Sequence, residues 1–178
     1  ISSSHALKEG MGSGSATGTL RSGGVTGGAG GDGSKSAARV TVTVDINVLL
    51  DVFQQRQPHY AASAQVVSLV SEGKLTGVCP AHGLTTLYYL VRKQDTKADA
   101  EAAMDRVLRH FQIGNLAAAG WQRARLLAMG DFEDAAVAAV AAVSGSTLVV
   151  TRNVADFARS PVPGIAPVDF LSQHAPAF

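Results

Sequence analysis

The chain has 178 residues and a mass of 18.3 kDa, enough for one domain of ordinary size and too little for a large multidomain enzyme. Its 15 Lys and Arg against 14 Asp and Glu leave a formal charge of +1, which excludes a protein that coats nucleic acid by bulk charge. A single cysteine, Cys79, excludes an intramolecular disulfide and a cysteine-based zinc site, and no apolar run approaches the ~18 residues of a membrane span.

Residues 1–38 hold 11 of the 19 glycines and 8 serines, with almost no large apolar side chain. Such a stretch buries too little surface to offset its ordering entropy, so a flexible Gly/Ser-rich tail is expected. It reads as sequence added for expression, as sequence translated upstream of the true start, or as a genuine disordered extension. Residues 39–178 form the expected folded domain. They carry 12 basic and 12 acidic residues, so acids gathered in one cleft must be held there locally.

Val40–Val44, a β-branched run, predicts the first strand, and a short helix over Asn47–Gln55 follows directly. His59–Glu72 has apolar residues at helical spacing and Gly73 as a stop. Thr76–Cys79 predicts a second strand, Ala81–Lys93 and Lys97–His110 two helices, and Phe111–Ile113 a third strand. Leu116–Met129 reads as a helix broken by Gly130. Phe132–Val143, apolar almost all round, reads as a buried one. Thr147–Val150 predicts a buried strand, Ile165–Ala166 an edge strand, and Val168–Ser172 a closing turn of helix. Alternating strands and helices in this order predict an α/β fold, a mostly parallel sheet flanked by helices. In such sheets sites form beyond the carboxyl ends of the strands.

Three polar clusters fall at that end. In Asp45-Ile46-Asn47, with Asp51 a turn later, Asn47 reads as a helix N-cap and Asp45 as a loop acid, or Asp45 reads as a ligand for a hard divalent cation. Asp51 reads as solvated in preference to supporting the site. In Asp131-Phe132-Glu133-Asp134, Asp131 suits an N-cap, while Asp134 borders a buried helix face and needs a partner or a metal. Thr151-Arg152-Asn153-Val154-Ala155-Asp156 reads as a polar turn, with Arg152 a structural partner for the acids, or as the rim of the same cleft. Together the clusters would converge Asp45, Asp134 and Asp156. Like charges that close repel, and Mg²⁺ or Mn²⁺ would neutralise them and activate water on a phosphodiester.

Over about residues 39–172 the chain resembles the PIN domain nucleases, including VapC-type toxins of toxin–antitoxin pairs. The resemblance rests on Val44-Asp45-Ile46-Asn47-Val48-Leu49-Leu50-Asp51, on Asp131-Phe132-Glu133-Asp134-Ala135, and on Val150-Thr151-Arg152-Asn153-Val154-Ala155-Asp156-Phe157. The ending from Pro161 through Leu171 is similar too. It implies a PIN-like α/β/α sandwich and a metal-dependent endoribonuclease. It also implies that Asp45, Asp134 and Asp156 are the catalytic, metal-site acids. Asn47 and Thr151 would position the first ligand and the phosphate, and Asn153 would line the site. Implied partners are an RNA substrate, an antitoxin protein and a second copy of the chain.

One departure stands out. The family commonly carries a further Glu on the helix after the second strand, which would fall near Thr86, and Pro80–Tyr89 contains no acid. Either the site works with fewer carboxylates, helped by Glu133 or Asp131, or the domain is a catalytically weak module that binds RNA or an antitoxin. Among other residues, His82 reads as a polar cap in preference to a proton carrier, Trp121 as packing or a partner surface in preference to a base-stacking platform, and Cys79 as a buried apolar residue. The lack of a secretory signal or disulfide predicts the cytoplasm.

Overall fold

The computed structural model describes residues 39–174; the tail expected over 1–38 lies outside the described residues. The elements run β1 (Thr41–Val44), α1 (Ile46–Phe53), α2 (Tyr60–Ser71), β2 (Thr76–Pro80), α3 (Gly83–Gln94), α4 (Lys97–His110) and β3 (Gln112–Gly114). Then follow α5 (Ala118–Leu126), α6 (Phe132–Val143), β4 (Leu148–Val150), a 3₁₀ turn (Val154–Phe157), β5 (Gly164–Ile165) and α7 (Pro167–His174). Each predicted element forms, most with ends moved by a residue or two. The largest change is at α5, which stops at Leu126 rather than Met129: Ala128 takes a left-handed φ of 52° and turns the chain before Gly130.

The five strands form one sheet in the order β3-β2-β1-β4-β5, every pair parallel. A parallel sheet must be covered on both faces, because its crossovers are helical. Strand alternation then sorts the core. Val42, Val44 and Val150 point into the larger cluster, with Leu49 of α1, Val66 of α2, Leu87 of α3, Val107 of α4 and Phe170 of α7. Val149 points the other way, onto Val137, Ala138 and Ala141 of α6. Thr43 is fully buried, and its hydroxyl bonds to that of Ser146 at 2.9 Å. Leu49, Leu87 and Phe170 are fully buried, each contributing about 1.5–3 kcal/mol by leaving water. The alanines of α6 let that helix lie close against the sheet and against α5.

From β1 the chain first moves to β2 on one side and later reaches β4 on the other. The carboxyl ends of β1 and β4 therefore lie side by side where the strand order reverses. Val44 pairs with Val150, so Asp45 and Thr151 emerge together at the crevice that forms there.

Candidate active site

The Asp45 N–H donates to the Val150 carbonyl at 3.0 Å, which extends the β1–β4 ladder by one bond and fixes where the Asp45 side chain leaves the sheet. Only 4% of Asp45 is exposed. A buried carboxylate needs donors. Its Oδ2 accepts the Thr151 hydroxyl at 2.7 Å and the Asn47 side-chain amide at 2.7 Å. Asn47 Nδ2 also donates to Thr151 Oγ1 at 3.2 Å, the Asn153 N–H donates to the same oxygen at 3.1 Å, and Asn47 Oδ1 accepts the Arg152 N–H at 3.3 Å. One buried knot thus joins the end of β1, the first turn of α1 and the loop after β4.

This knot corrects two expectations. Asn47 is not a helix cap: Asp45 occupies the N-cap position of α1, and the Asn47 amide holds Asp45, Thr151 and the Arg152 backbone. Thr151 is fully buried, and its hydroxyl spends its one donor on Asp45 and two acceptor positions on Asn47 and Asn153. It orients Asp45 and has no capacity left to position a phosphate.

The other acids come from α6 and the 3₁₀ turn. Asp131 caps α6, its Oδ1 accepting the Glu133 N–H at 2.6 Å, as the cap reading expected. Asp134 is half-buried on the first turn and Asp156 is exposed on the 3₁₀ turn. Burial pushes the Asp134 carboxyl up to about 6, helped by the negative charges of Asp45, Asp131, Asp156 and Glu133. Burial also raises Asp45. The Thr151 hydroxyl and the backbone N–H groups of Asn47 and Ile46 oppose that rise, and Glu133 adds to it. Asp45, Asp134, Asp156, Glu133 and Asp131 therefore share one field of uncompensated negative charge.

That donor set tests what cation fits. All its atoms are hard oxygens, and the mutual repulsion favours a divalent ion. Among the described residues no three His, Cys, Asp or Glu side chains stand close enough to form a ready-made cage. The residues fit a hard divalent ion, and Asp45, Asp134, Asp156 and Glu133 are the side chains that would hold it.

Two further residues depart from expectation. Asp51, read as solvated, is fully buried: Ser63 of α2 donates to its Oδ2 at 3.1 Å, and the Arg152 guanidinium lies 3.4 Å from Oδ1. The surrounding Val48, Leu49, Leu50 and Val52 were the sequence signal for burial, but nothing in the sequence marked Ser63 as its partner. Arg152 is the structural partner expected of it, though of Asp51 rather than of the cleft acids. His82 stands at the start of α3 yet makes no side-chain cap; its ring packs edge-on against Trp121 at 5.5 Å. Burial lowers its pKa, so the ring is neutral near pH 7. Burial likewise pushes the Cys79 thiol up to about 12, which leaves it the inert apolar residue expected. Thr86 is exposed on α3 and takes no part in the Asp45 network.

A family model described as a PIN domain matches residues 41–155. The chain belongs to the PIN domain family. PIN domains are typically nucleases, so at the level of the family the chain stands among them. Its fold is similar to that of VapBC2 from Rickettsia felis, solved bound to a DNA fragment from the promoter, at a TM-score of 0.56 and 18% identity over 71% of this chain and 98% of that one. FitAcB from Neisseria gonorrhoeae is similar at 0.53 and 18% identity, again over 71% and 98%. VapC20 from Mycobacterium tuberculosis, a toxin that cleaves the sarcin-ricin loop, is similar at 0.50 and 15% identity over 61% and 86%. At these identities the likeness is one of fold. No curated protein sequence matches the chain. No helix among the described residues is long and apolar enough to cross a membrane.

Proposed function

We propose that this PIN domain is an endoribonuclease that uses Mg²⁺ or Mn²⁺ to hydrolyse RNA phosphodiesters, with Asp45, Asp134 and Asp156 as the acids that hold the ion. The observation that carries this reading is Asp45 itself. A carboxylate 4% exposed at the end of a central parallel strand, gripped by Thr151 and Asn47, lies in the field of Glu133 and itself acts on Asp134, which also feels Asp131, Asp156 and Glu133. Stability alone gives no reason to gather like charges there. A divalent ion bound by them would neutralise the carboxylates and the phosphate and lower the pKa of a bound water.

The rest is the work of the chain. Asn47 and Thr151 keep the Asp45 carboxylate in one orientation, so that no reorganisation is needed when substrate arrives. Arg152, committed to Asp51, fixes the loop that carries Asn153 and Asp156. Glu133 and Asp131 make up the charge that an acid near Thr86 would have brought, since Glu133 acts on both Asp45 and Asp134. We further propose the toxin of a toxin–antitoxin pair, a reading in keeping with the fold it shares with VapBC2 and FitAcB; the cytoplasm and a homodimer are proposed with it from the sequence alone.

The test is cleavage of a mixed RNA pool in Mg²⁺ and in Mn²⁺, with EDTA as control. Metal-dependent cleavage supports the reading. The second reading, a binding module, is favoured by the missing acid near Thr86. Retention of RNA or antitoxin without cleavage in either metal would favour it.

A further inference from the structure

Three aromatic rings run outward from the acidic cleft. His82 stands close enough to Asp45 to feel its charge and shares a narrow crevice with Glu133. Trp121 of α5 packs on His82 with ring centroids 5.5 Å apart and planes at 67°. Phe132, the first residue of α6, lies 6.0 Å further on at 40° and is 53% exposed. The exposed ring opens the helix that carries Glu133 and Asp134, and it connects to the cleft through Trp121 and His82 rather than along the helix, since side chains two residues apart do not share a face. Its exposure is unfavourable for a residue of this size, since a Phe gains about 1.5–3 kcal/mol by full burial. The neutral His82 ring braces Trp121 rather than carrying a proton.

Resting on the ribonuclease reading above, we propose that Phe132 and Trp121, braced by His82, form a stacking ledge that takes an unpaired base of the RNA next to the scissile phosphate. Every base has a π face, so aromatic ledges hold unpaired nucleotides with little sequence preference. In a duplex the faces are already stacked on one another and cannot be offered. The continuity of the ledge with the carboxylate cleft is what singles out RNA: a strand whose phosphate lies at Asp45 and Asp134 must send its neighbouring base somewhere. The ledge is the aromatic surface that borders the cleft by way of His82 and Glu133.

Trp121 is the only tryptophan of the chain, so its fluorescence reads the ledge directly. The experiment titrates Asp45→Asn full-length protein, chosen to prevent turnover, with a single-stranded oligoribonucleotide in Mg²⁺. A duplex of the same sequence and an oligomer of equal length lacking bases serve as comparisons. The base-bearing single strand is expected to quench Trp121; the duplex and the abasic strand are not. Adding Phe132→Ala should weaken binding of the single strand roughly 5- to 150-fold, the equivalent of ~1–3 kcal/mol for one lost stack, and leave the abasic strand unaffected. Phe132→Tyr should restore it. Equal quenching by all three ligands overturns the proposal. So does Phe132→Ala affinity equal to that of Phe132, or a bound single strand that leaves Trp121 unquenched, in which case the ledge serves a protein surface. Quenching combined with no cleavage by the unsubstituted protein supports the ledge and counts against the ribonuclease reading. Cleavage without quenching does the reverse.

Discussion

The Arg152 guanidinium lies 3.4 Å from the carboxylate of Asp51, and Asp51 is fully buried. The pair ties the loop after β4 to α1, and Ser63 of α2 completes the hold on Asp51. Removing the cation would leave a buried charge with one hydroxyl donor. Breaking a buried pair in that way costs about 3–5 kcal/mol, and because Arg152 is 28% exposed the lower end applies. Arg152→Met should lower the urea-unfolding free energy by about 3 kcal/mol, and Arg152→Met with Asp51→Leu should recover part of it. A loss under about 1 kcal/mol would show that the pair is solvated in the working protein.

Thr151 is predicted to act through Asp45. Thr151→Val keeps the shape but deprives Asp45 of one donor, removes one of the two bonds of the Asn47 amide and strands the Asn153 N–H. Partners that orient a metal ligand are worth about 10–100-fold in metal affinity. Calorimetric titration with Mn²⁺ should show a loss in that range for Thr151→Val and a smaller one for Thr151→Ser, which keeps the hydroxyl. Affinity unchanged in the valine variant would detach the knot from the ion.

Stability should depend on pH through Asp134. Its carboxyl is pushed up to about 6 in the fold, while an unfolded aspartate titrates at about 3.9. Between those values the folded protein holds a proton that the unfolded chain has released, so stability falls as pH rises from about 4 to about 6 and levels off above. The raised Asp45 acts in the same direction. Thermal melts in EDTA should show this fall, Asp134→Asn should flatten it, and Mg²⁺ at pH 7 should raise the melting temperature of the unsubstituted protein more than that of the variant. A metal-free protein that gains stability over this window contradicts the shared acidic field.

The fold was legible because its signals are local. Val40–Val44 and Thr147–Val150 are runs rich in β-branched residues, and Phe132–Val143 is apolar almost all round beyond its acidic first turn; such segments form buried strands and helices. The acids were legible as three clusters because two of them directly follow parallel strands and the third opens a buried helix. Partnerships across the chain were not. Thr151 and Asp45 are separated by 106 positions, and only the β1–β4 register brings them together. Asn47 looked like a cap because its spacing suits one, yet the geometry gave its amide a stronger partner in a buried carboxylate. Asp51 looked solvated because an aspartate on a helix usually is; its burial depends on Ser63 and Arg152, which arrive from two other elements. The Phe132–Trp121–His82 row likewise joins α6, α5 and the start of α3, and no spacing along the chain announces it.

The most direct test of the carboxylate site is single-turnover RNA cleavage by the unsubstituted protein beside Asp45→Asn and Asp134→Asn, across a Mn²⁺ titration. Both variants remove a charge from the shared field while keeping the shape. Cleavage by the unsubstituted protein, abolished by EDTA and reduced at least about 100-fold in each variant, with Asp134→Asn partly rescued by high Mn²⁺, is the predicted result. Cleavage that survives both substitutions, or that persists in EDTA, would contradict the assignment of these acids to a metal-dependent nuclease centre.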